Sequence, residues 1–163
     1  MKYFVVPGES RHLDQATRAE LRGDFIECGD GITHYEMAGP EGGEVVVFAG
    51  SLTTPLFYWD QLVGELHSRG FRTVTFSAYG RGYSDRVAAA YDEALFVRQI
   101  AELTQRLDLA EPFHLVGASM GALVAMAFHI VSPCGHMVPY EEPARTSLLF
   151  TAFVDTARKE SSR

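Results

Sequence analysis

The pentapeptide G-A-S-M-G at residues 117–121 has the residue types and spacing for nucleophilic chemistry. It follows an apolar run at 113–116 and leads into a glycine-free stretch of good helix formers at 122–128. Strand, tight turn and helix in this order are the context in which G-x-S-x-G presents a serine nucleophile, here Ser119. Glycine is needed at both ends because side chains two positions either side of the serine would collide. The alternative is a glycine-bracketed turn with an incidental serine.

A serine hydroxyl is a weak nucleophile at neutral pH and needs a base within hydrogen-bond reach. Of the six histidines, His136 lies in a loop before the last predicted helix, so its backbone is free to carry the imidazole over Ser119. An ordinary loop histidine is the alternative. His129 lies about 15 Å from Ser119 along the same predicted helix, which is too far. His114 precedes the elbow and is predicted to be a packed core residue. A solvated or structural role is predicted for the others: His12, His34 and His67.

The tetrahedral intermediate of acyl transfer needs two backbone N–H donors aimed at its oxyanion. One is predicted to come from Met120, the residue after the nucleophile. The other is predicted from Ser51, in the loop after the apolar run 45–48, where Gly50 allows a close backbone approach. The role belongs to a backbone group, so Ser51 is chosen by position and not by its side chain.

The elements that must position these residues follow from hydrophobic periodicity. Strand–helix alternation with apolar strands predicts an α/β fold with a doubly wound, mostly parallel sheet. Sites in such sheets form beyond the carboxyl ends of strands, where Ser119 and Ser51 both fall. The predicted elements are a helix at 12–22, a β-hairpin of 24–28 and 32–38, strands at 45–48, 72–77 and 113–116, and helices at 58–69, 93–107 and 122–129.

Size and composition predict a single domain over 1–163, with 47% apolar residues for a core. The net charge of −7 argues against nucleic acid or an anionic membrane as partner. Two cysteines make neither a disulfide framework nor a metal pair, and predict free thiols in a reducing compartment. The apolar stretch 113–131 is better explained by a buried strand and helix than by a membrane span. We therefore expect a cytoplasmic protein without metal or cofactor.

Several segments together resemble the α/β-hydrolase superfamily, and most closely its small esterase and carbon–carbon hydrolase branch. Ala49 and Gly50 stand where the family usually has His-Gly after its first core strand. The other matching segments are the aromatic helix start at 57–60, the G-x-G-x-S-D loop at 79–86, the elbow and helix at 113–128, and the histidine loop at 135–143. The resemblance implies that the family's usual terminal helix follows at 144–158. The resemblance implies Ser119 as nucleophile, His136 as general base and a small ester or related acyl compound as substrate.

The chain departs from the family pattern after the elbow helix. Family members place there a strand, a lid of helices and a further strand whose end supplies the triad acid. Here the histidine loop follows almost at once, which predicts a core deletion near 129–133 and the loss of that acid. Glu141 is a local substitute, and Glu142 and Asp155 are weaker ones. In serine proteases, neutralising the acid lowers turnover about 10⁴-fold.

Two hypotheses follow. The first is a serine hydrolase that acts on carboxylic esters. The second is a catalytically impaired hydrolase-fold module that binds a partner or oligomerises through an exposed sheet edge. A flavodoxin-like nucleotide binder is a weak third reading, because no G-x-G-x-x-G or P-loop follows a predicted strand.

Overall fold

The computed structural model of the chain describes residues 13–53, 55–109 and 113–131, with side chains through residue 128. Contacts divide the chain into two compact units, Met1–Met126 and Ala127–Arg163. The sheet and the elbow lie in the first unit, and of the second only residues 127–131 fall in the described ranges. The single domain over 1–163 stays a prediction.

The described part of the chain forms a mixed sheet with strand order β1-β2-β4-β3-β5. The strands are β1 (Asp24–Glu27), β2 (Ile32–Ala38), β3 (Val45–Ala49), β4 (Arg72–Phe76) and β5 (His114–Gly117); the helices are α1 (Gln15–Ala19), α2 (Asp60–Ser68), α3 (Glu93–Arg106) and α4 (Met120–Val131). Strands β4, β3 and β5 are parallel, and β1 and β2 form an antiparallel hairpin joined to β4. The predicted α/β sheet and N-terminal hairpin are confirmed.

One face of the sheet packs against α2. Val46 and Phe48 of β3 point to this face, where the Phe48 and Trp59 rings lie 4.8 Å apart between centroids. A 3-10 turn, Leu56–Trp59, brings Trp59 into the core before α2 begins at Asp60. The helix therefore starts two residues later than predicted. Its amphipathic inner side completes the cluster with Val63 and Leu66.

The opposite face packs against α3, whose N-terminus is capped by the Asp92 carboxylate accepting from the Leu95 amide at 3.0 Å. Its buried side includes Leu95, Ile100 and Leu103. Gln99 lies among these apolar residues and is 1% exposed. With helices on both faces, the sheet is doubly wound as predicted.

The Gln99 amide satisfies three polar groups in the core. Its Oε1 accepts from the Tyr79 backbone N–H at 3.0 Å, and its Nε2 donates to the Thr33 hydroxyl and the Ser77 carbonyl at 3.0 and 3.1 Å. Burial raises the pKa of Tyr79 to about 12, so its phenol stays protonated and donates to the Gly31 carbonyl. The hydrogen bonds of Gln99 with Tyr79 and Ser77 therefore join helix α3 to the loop after β4.

His34 of β2 is another buried polar residue. Its Nε2 donates to the Arg22 carbonyl at 2.8 Å, so the neutral ring accepts at Nδ1 from the Ser77 hydroxyl at 3.1 Å. The Ser84 hydroxyl donates to the Ser77 carbonyl and accepts from the His34 amide. Burial lowers the pKa of His34. The structural role predicted for this histidine agrees with these contacts.

Helix α1 is shorter than predicted. It begins after Asp14, whose carboxylate accepts from the Thr17 amide at 2.8 Å, and ends at Ala19. Gly23, at φ 86°, then turns the chain into β1 against the His34 ring. Among the helices that the structure describes, none is long and apolar enough to cross a membrane.

We expect Gln99→Met to lower the free energy of unfolding by about 3 kcal/mol, because it leaves the Tyr79 amide and the Ser77 carbonyl buried without this partner. Urea denaturation measures the change. Gln105→Met is the matched control, since Gln105 is exposed on the same helix, and it should change stability by less than about 0.5 kcal/mol. Equal effects of the two substitutions would contradict a bridging role for Gln99.

Stability should fall as the pH drops below about 6.5, the ordinary histidine pKa. The unfolded chain takes up a proton on His34 there, whereas burial opposes protonation in the folded state, so the free energy of unfolding decreases by up to about 1.4 kcal/mol per pH unit. Urea midpoints at pH 8, 6 and 5 measure this contribution. His34→Gln should remove it, and His114→Gln should leave it in place. An unchanged pH dependence in His34→Gln would refute the assignment.

Candidate active site

Ser119 lies in the two-residue turn between a strand and a helix. Strand β5 ends at Gly117 and helix α4 begins at Met120, so the chain reverses from sheet to helix within two residues. Ser119 is exposed and has φ 55°. A non-glycine residue in this left-handed region costs on the order of 1–3 kcal/mol, and such residues concentrate at functional sites. The local backbone is the strand, tight turn and helix that the sequence predicts, and the nucleophilic role of Ser119 stays a prediction.

Glycine is required at both ends of the elbow for steric reasons. A Cβ at Gly117 would lie 2.5 Å from the Ala122 Cα, and would also meet the Gly121 carbonyl. A Cβ at Gly121 would lie 2.5 Å from the Gly50 carbonyl oxygen and would collide with the Ala49 carbonyl. The first glycine lets the helix fold back over the strand, and the second lets it approach the end of β3.

The loop that carries Ser51 begins beside the elbow. In the parallel pairing of β3 and β5, Ala49 lies opposite Gly117, and the Ala118 amide donates to the Ala49 carbonyl at 3.1 Å. The chain just before Ser51 and the chain just after Met120 are therefore in direct contact. The structure brings together the two segments from which the oxyanion donors are predicted.

The first turn of α4 leaves the Met120 amide outside its own hydrogen bonds. The Gly121 amide donates to the Ala118 carbonyl at 2.9 Å, and the Ala122 amide donates to the Ser119 carbonyl at 3.0 Å. Amides at a helix N-terminus favour negative charge. An oxyanion donor at Met120 is compatible with this arrangement, and its role stays a prediction.

The predicted general base lies outside the described residues. His136 and His12 fall there, as do the candidate acids Glu141, Glu142 and Asp155 and the side chain of His129. Within the described ranges, His34 bonds with Ser77 and His67 with Thr73.

The prediction for His114 is wrong. Its side chain is 60% exposed, and its Nε2 lies 3.2 Å from the Glu44 carboxylate. The residue begins β5, which is the last strand in the described sheet order and has β3 as its neighbour there. An apolar run predicts a strand but does not indicate whether that strand lies inside or at the edge of a sheet.

The contacts of two polar residues near the carboxyl ends of the strands, Gln99 and Arg81, are not predicted from the sequence. Gln99 had a usable signal, because it lies at helical spacing within an apolar stripe. Arg81 had none. Its Nε donates to the Leu52 carbonyl at 2.7 Å. This contact joins two irregular loops, in which hydrophobic periodicity gives no signal. Within the described part of the chain, no cluster of His, Cys, Asp or Glu could hold a metal ion.

Residues 45–156 match the family model described as the alpha/beta hydrolase family. This range covers more than half of the chain and includes both position 119 and position 136. The chain therefore belongs to the alpha/beta hydrolase family.

Three proteins similar to the chain are, by name, a carbamate hydrolase, an enol-lactonase and an esterase. A candidate carbamate hydrolase, RutD, from Variovorax paradoxus is 33% identical over 119 residues, covering 71% of this chain and 40% of the relative. 3-Oxoadipate enol-lactonase 1 from Acinetobacter baylyi is 32% identical, covering 56% of this chain and 33% of the relative. The solved esterase EaEST from Exiguobacterium antarcticum shows 27% identity and a TM-score of 0.62, covering 68% and 40%. The chain thus spans about two fifths or less of the length of each of these proteins.

Gly121→Ala should destabilise the protein by about 2 kcal/mol, because the added methyl group meets the carbonyls that end β3. Thermal and urea unfolding measure the loss. Gly64→Ala is the matched control, since Gly64 lies inside helix α2 with no atom within 4 Å of an added Cβ. This control should gain about 0.5–1 kcal/mol from helix propensity. A neutral Gly121→Ala would contradict the close approach of α4 to β3.

Proposed function

We propose that the protein is a serine hydrolase that acts on small carboxylic esters or related acyl compounds. Ser119 is the nucleophile, His136 the general base, and the Met120 and Ser51 amides the oxyanion donors. The observation that carries the proposal is the backbone of Ser119, which holds an exposed hydroxyl in a left-handed conformation between β5 and α4. Steric strain at an exposed serine favours a functional over an incidental residue.

The chemistry has two stages. Ser119 Oγ attacks the substrate carbonyl while its proton passes to the His136 imidazole, and the negative charge on the carbonyl oxygen is held by the two amides. The carbon–heteroatom bond then breaks, and the leaving group takes the proton from the imidazolium. Water attacks the acyl-enzyme with the same imidazole as base, and the acid product leaves Ser119 free.

The substrate class is supported by the names of the relatives. A carbamate, an enol-lactone and an ester each contain a carbonyl carbon bonded to a heteroatom that can leave. Serine at position 119 argues against dehalogenase or epoxide-hydrolase chemistry, which needs a carboxylate nucleophile. Neither the acylation of Ser119 nor the hydrolysis of the acyl-enzyme needs a metal or a cofactor.

We further propose a cytoplasmic protein that binds neither nucleic acid nor anionic membranes. A net charge of −7 disfavours nucleic acid and anionic membranes as partners. The thiol of Cys28 is free and buried, which is compatible with a reducing cytoplasm.

A fluorophosphonate probe tests the proposal, because it phosphonylates an activated serine stoichiometrically. We expect one label per chain at Ser119, located by peptide mass spectrometry. Ser119→Ala should abolish labelling, and His136→Gln should slow it on the order of 10³-fold, the usual contribution of a general base. Circular dichroism before labelling establishes that each variant is folded.

Two substitutions serve as matched controls. Ser68→Ala removes an exposed hydroxyl that donates to the Glu65 carbonyl on α2, and His114→Gln removes an exposed imidazole. Neither should alter the labelling rate. Folded wild-type protein that takes up no label would refute the proposal. It would favour the alternative, a hydrolase-fold module that binds or oligomerises, for which the edge position of β5 in the described sheet offers a surface.

A further inference from the structure

The Arg81 side chain connects two loops at the carboxyl edge of the sheet. Its Nε donates to the Leu52 carbonyl at 2.7 Å, and its Nη1 donates to the Gly80 carbonyl at 2.9 Å. Both of these acceptors are backbone oxygens and neither is a carboxylate. A guanidinium with two donors in fixed geometry orients its acceptors more precisely than a flexible ammonium would. The Leu52 carbonyl is therefore held in position by the loop that follows β4.

The loop that carries Arg81 is itself firmly anchored. The Gly80 amide donates to the Asp85 carbonyl at 2.8 Å, and the Arg81 amide donates to the Ala78 carbonyl at 2.9 Å. The Tyr79 amide is bonded to buried Gln99. Asp85 is bonded in turn to β2, since its amide donates to the Ile32 carbonyl and its carboxylate accepts from the Ile32 amide, both at 2.9 Å.

Residues 50–53 form the loop that accepts the Arg81 bond, and they are half-buried or exposed. The Ser51 hydroxyl accepts from the Thr53 amide at 3.4 Å, which is long for a hydrogen bond. The atom nearest to an added Cβ at Gly50 is 3.8 Å away, on the Trp59 ring. Leu52 is 43% exposed. The charge-assisted bond from Arg81, at 2.7 Å, therefore restrains a loop that is partly exposed.

We propose that Arg81 is a positioning residue that fixes the loop of residues 50–53 through the Leu52 carbonyl, and so aims the neighbouring Ser51 amide at the developing oxyanion. This inference rests on the proposed function, because it assigns a role within the same site. Arg81 acts through the loop and does not touch the reacting atoms. Its effect should fall on the transition state, where the oxyanion forms, and spare binding of the substrate ground state.

The test compares Arg81→Met and Arg81→Lys with Arg98→Met in the full chain. Arg98 is a half-exposed arginine that pairs with Asp30 at 3.1 Å, and serves as the matched control. We would measure kcat and KM for p-nitrophenyl butyrate and the rate of labelling by the fluorophosphonate. Arg81→Met should lower kcat and the labelling rate on the order of 10-fold with KM within about twofold, less than the 10²–10³-fold loss of an oxyanion donor itself.

Two readouts separate positioning from general stability. Added guanidinium ion should restore part of the lost kcat in Arg81→Met and none in Arg98→Met, and Arg81→Lys should retain an intermediate rate. The affinity of a trifluoromethyl ketone, which forms an oxyanion adduct, should weaken in parallel with kcat, whereas that of butyrate should not. Thermal unfolding midpoints of the variants should stay close to that of the wild type.

The outcomes distinguish the two proposals. If the wild type takes up no label at Ser119, the proposed function fails and the inference fails with it. If the wild type is labelled and Arg81→Met retains the kcat of Arg98→Met, the inference alone is overturned. It is also overturned if kcat falls only together with the unfolding midpoint, or if guanidinium restores nothing.

Discussion

The close approach of helix α4 to the end of strand β3 is the constraint on which the rest of the site depends. Gly121 lies against the Ala49 and Gly50 carbonyls, where a side chain would not fit. The Ala118 amide donates to the same Ala49 carbonyl. These contacts place the serine turn and the loop of Ser51 side by side at one edge of the sheet. A bulkier residue at 121 would separate the two segments whatever their own conformations.

The backbone strain at Ser119 persists because its surroundings determine it from both sides. Strand β5 is fixed by its parallel register with β3, in which Val116 lies opposite Phe48, and the helix is fixed by its glycine contact. The short connection between them forces a left-handed residue at position 119. The sheet and the helix thus supply the free energy, on the order of 1–3 kcal/mol, that holds the hydroxyl outward. An exposed, rigidly presented hydroxyl is what an attacking nucleophile needs.

Much of this arrangement could be predicted from local pattern. The elbow, the hairpin and helix α3 follow from glycine spacing and hydrophobic periodicity, which act within a few residues of each other. His114 was placed wrongly, because strand order is set by contacts far apart in sequence and an edge strand has the same apolar run as a central one. The start of α2 shifted to Asp60 because Trp59 enters the core through a 3-10 turn. The Arg81–Leu52 contact joins two irregular loops, for which periodicity gives no signal.

Buried polar groups decide which loops at this edge are fixed. The loop after β4 lies beyond the end of the strand, where the hydrogen bonds of the sheet no longer pair its amides. An unpaired buried amide in this loop would lower the free energy of unfolding by about 1–3 kcal/mol. Gln99 of α3 accepts from the Tyr79 amide, and the Ser84 hydroxyl within the loop donates to the Ser77 carbonyl. The hydrogen bonds that each of these side chains makes offset the cost of burying it. These bonds restrain the loop after β4, and the Arg81 guanidinium that projects from it can hold the neighbouring loop through the Leu52 carbonyl.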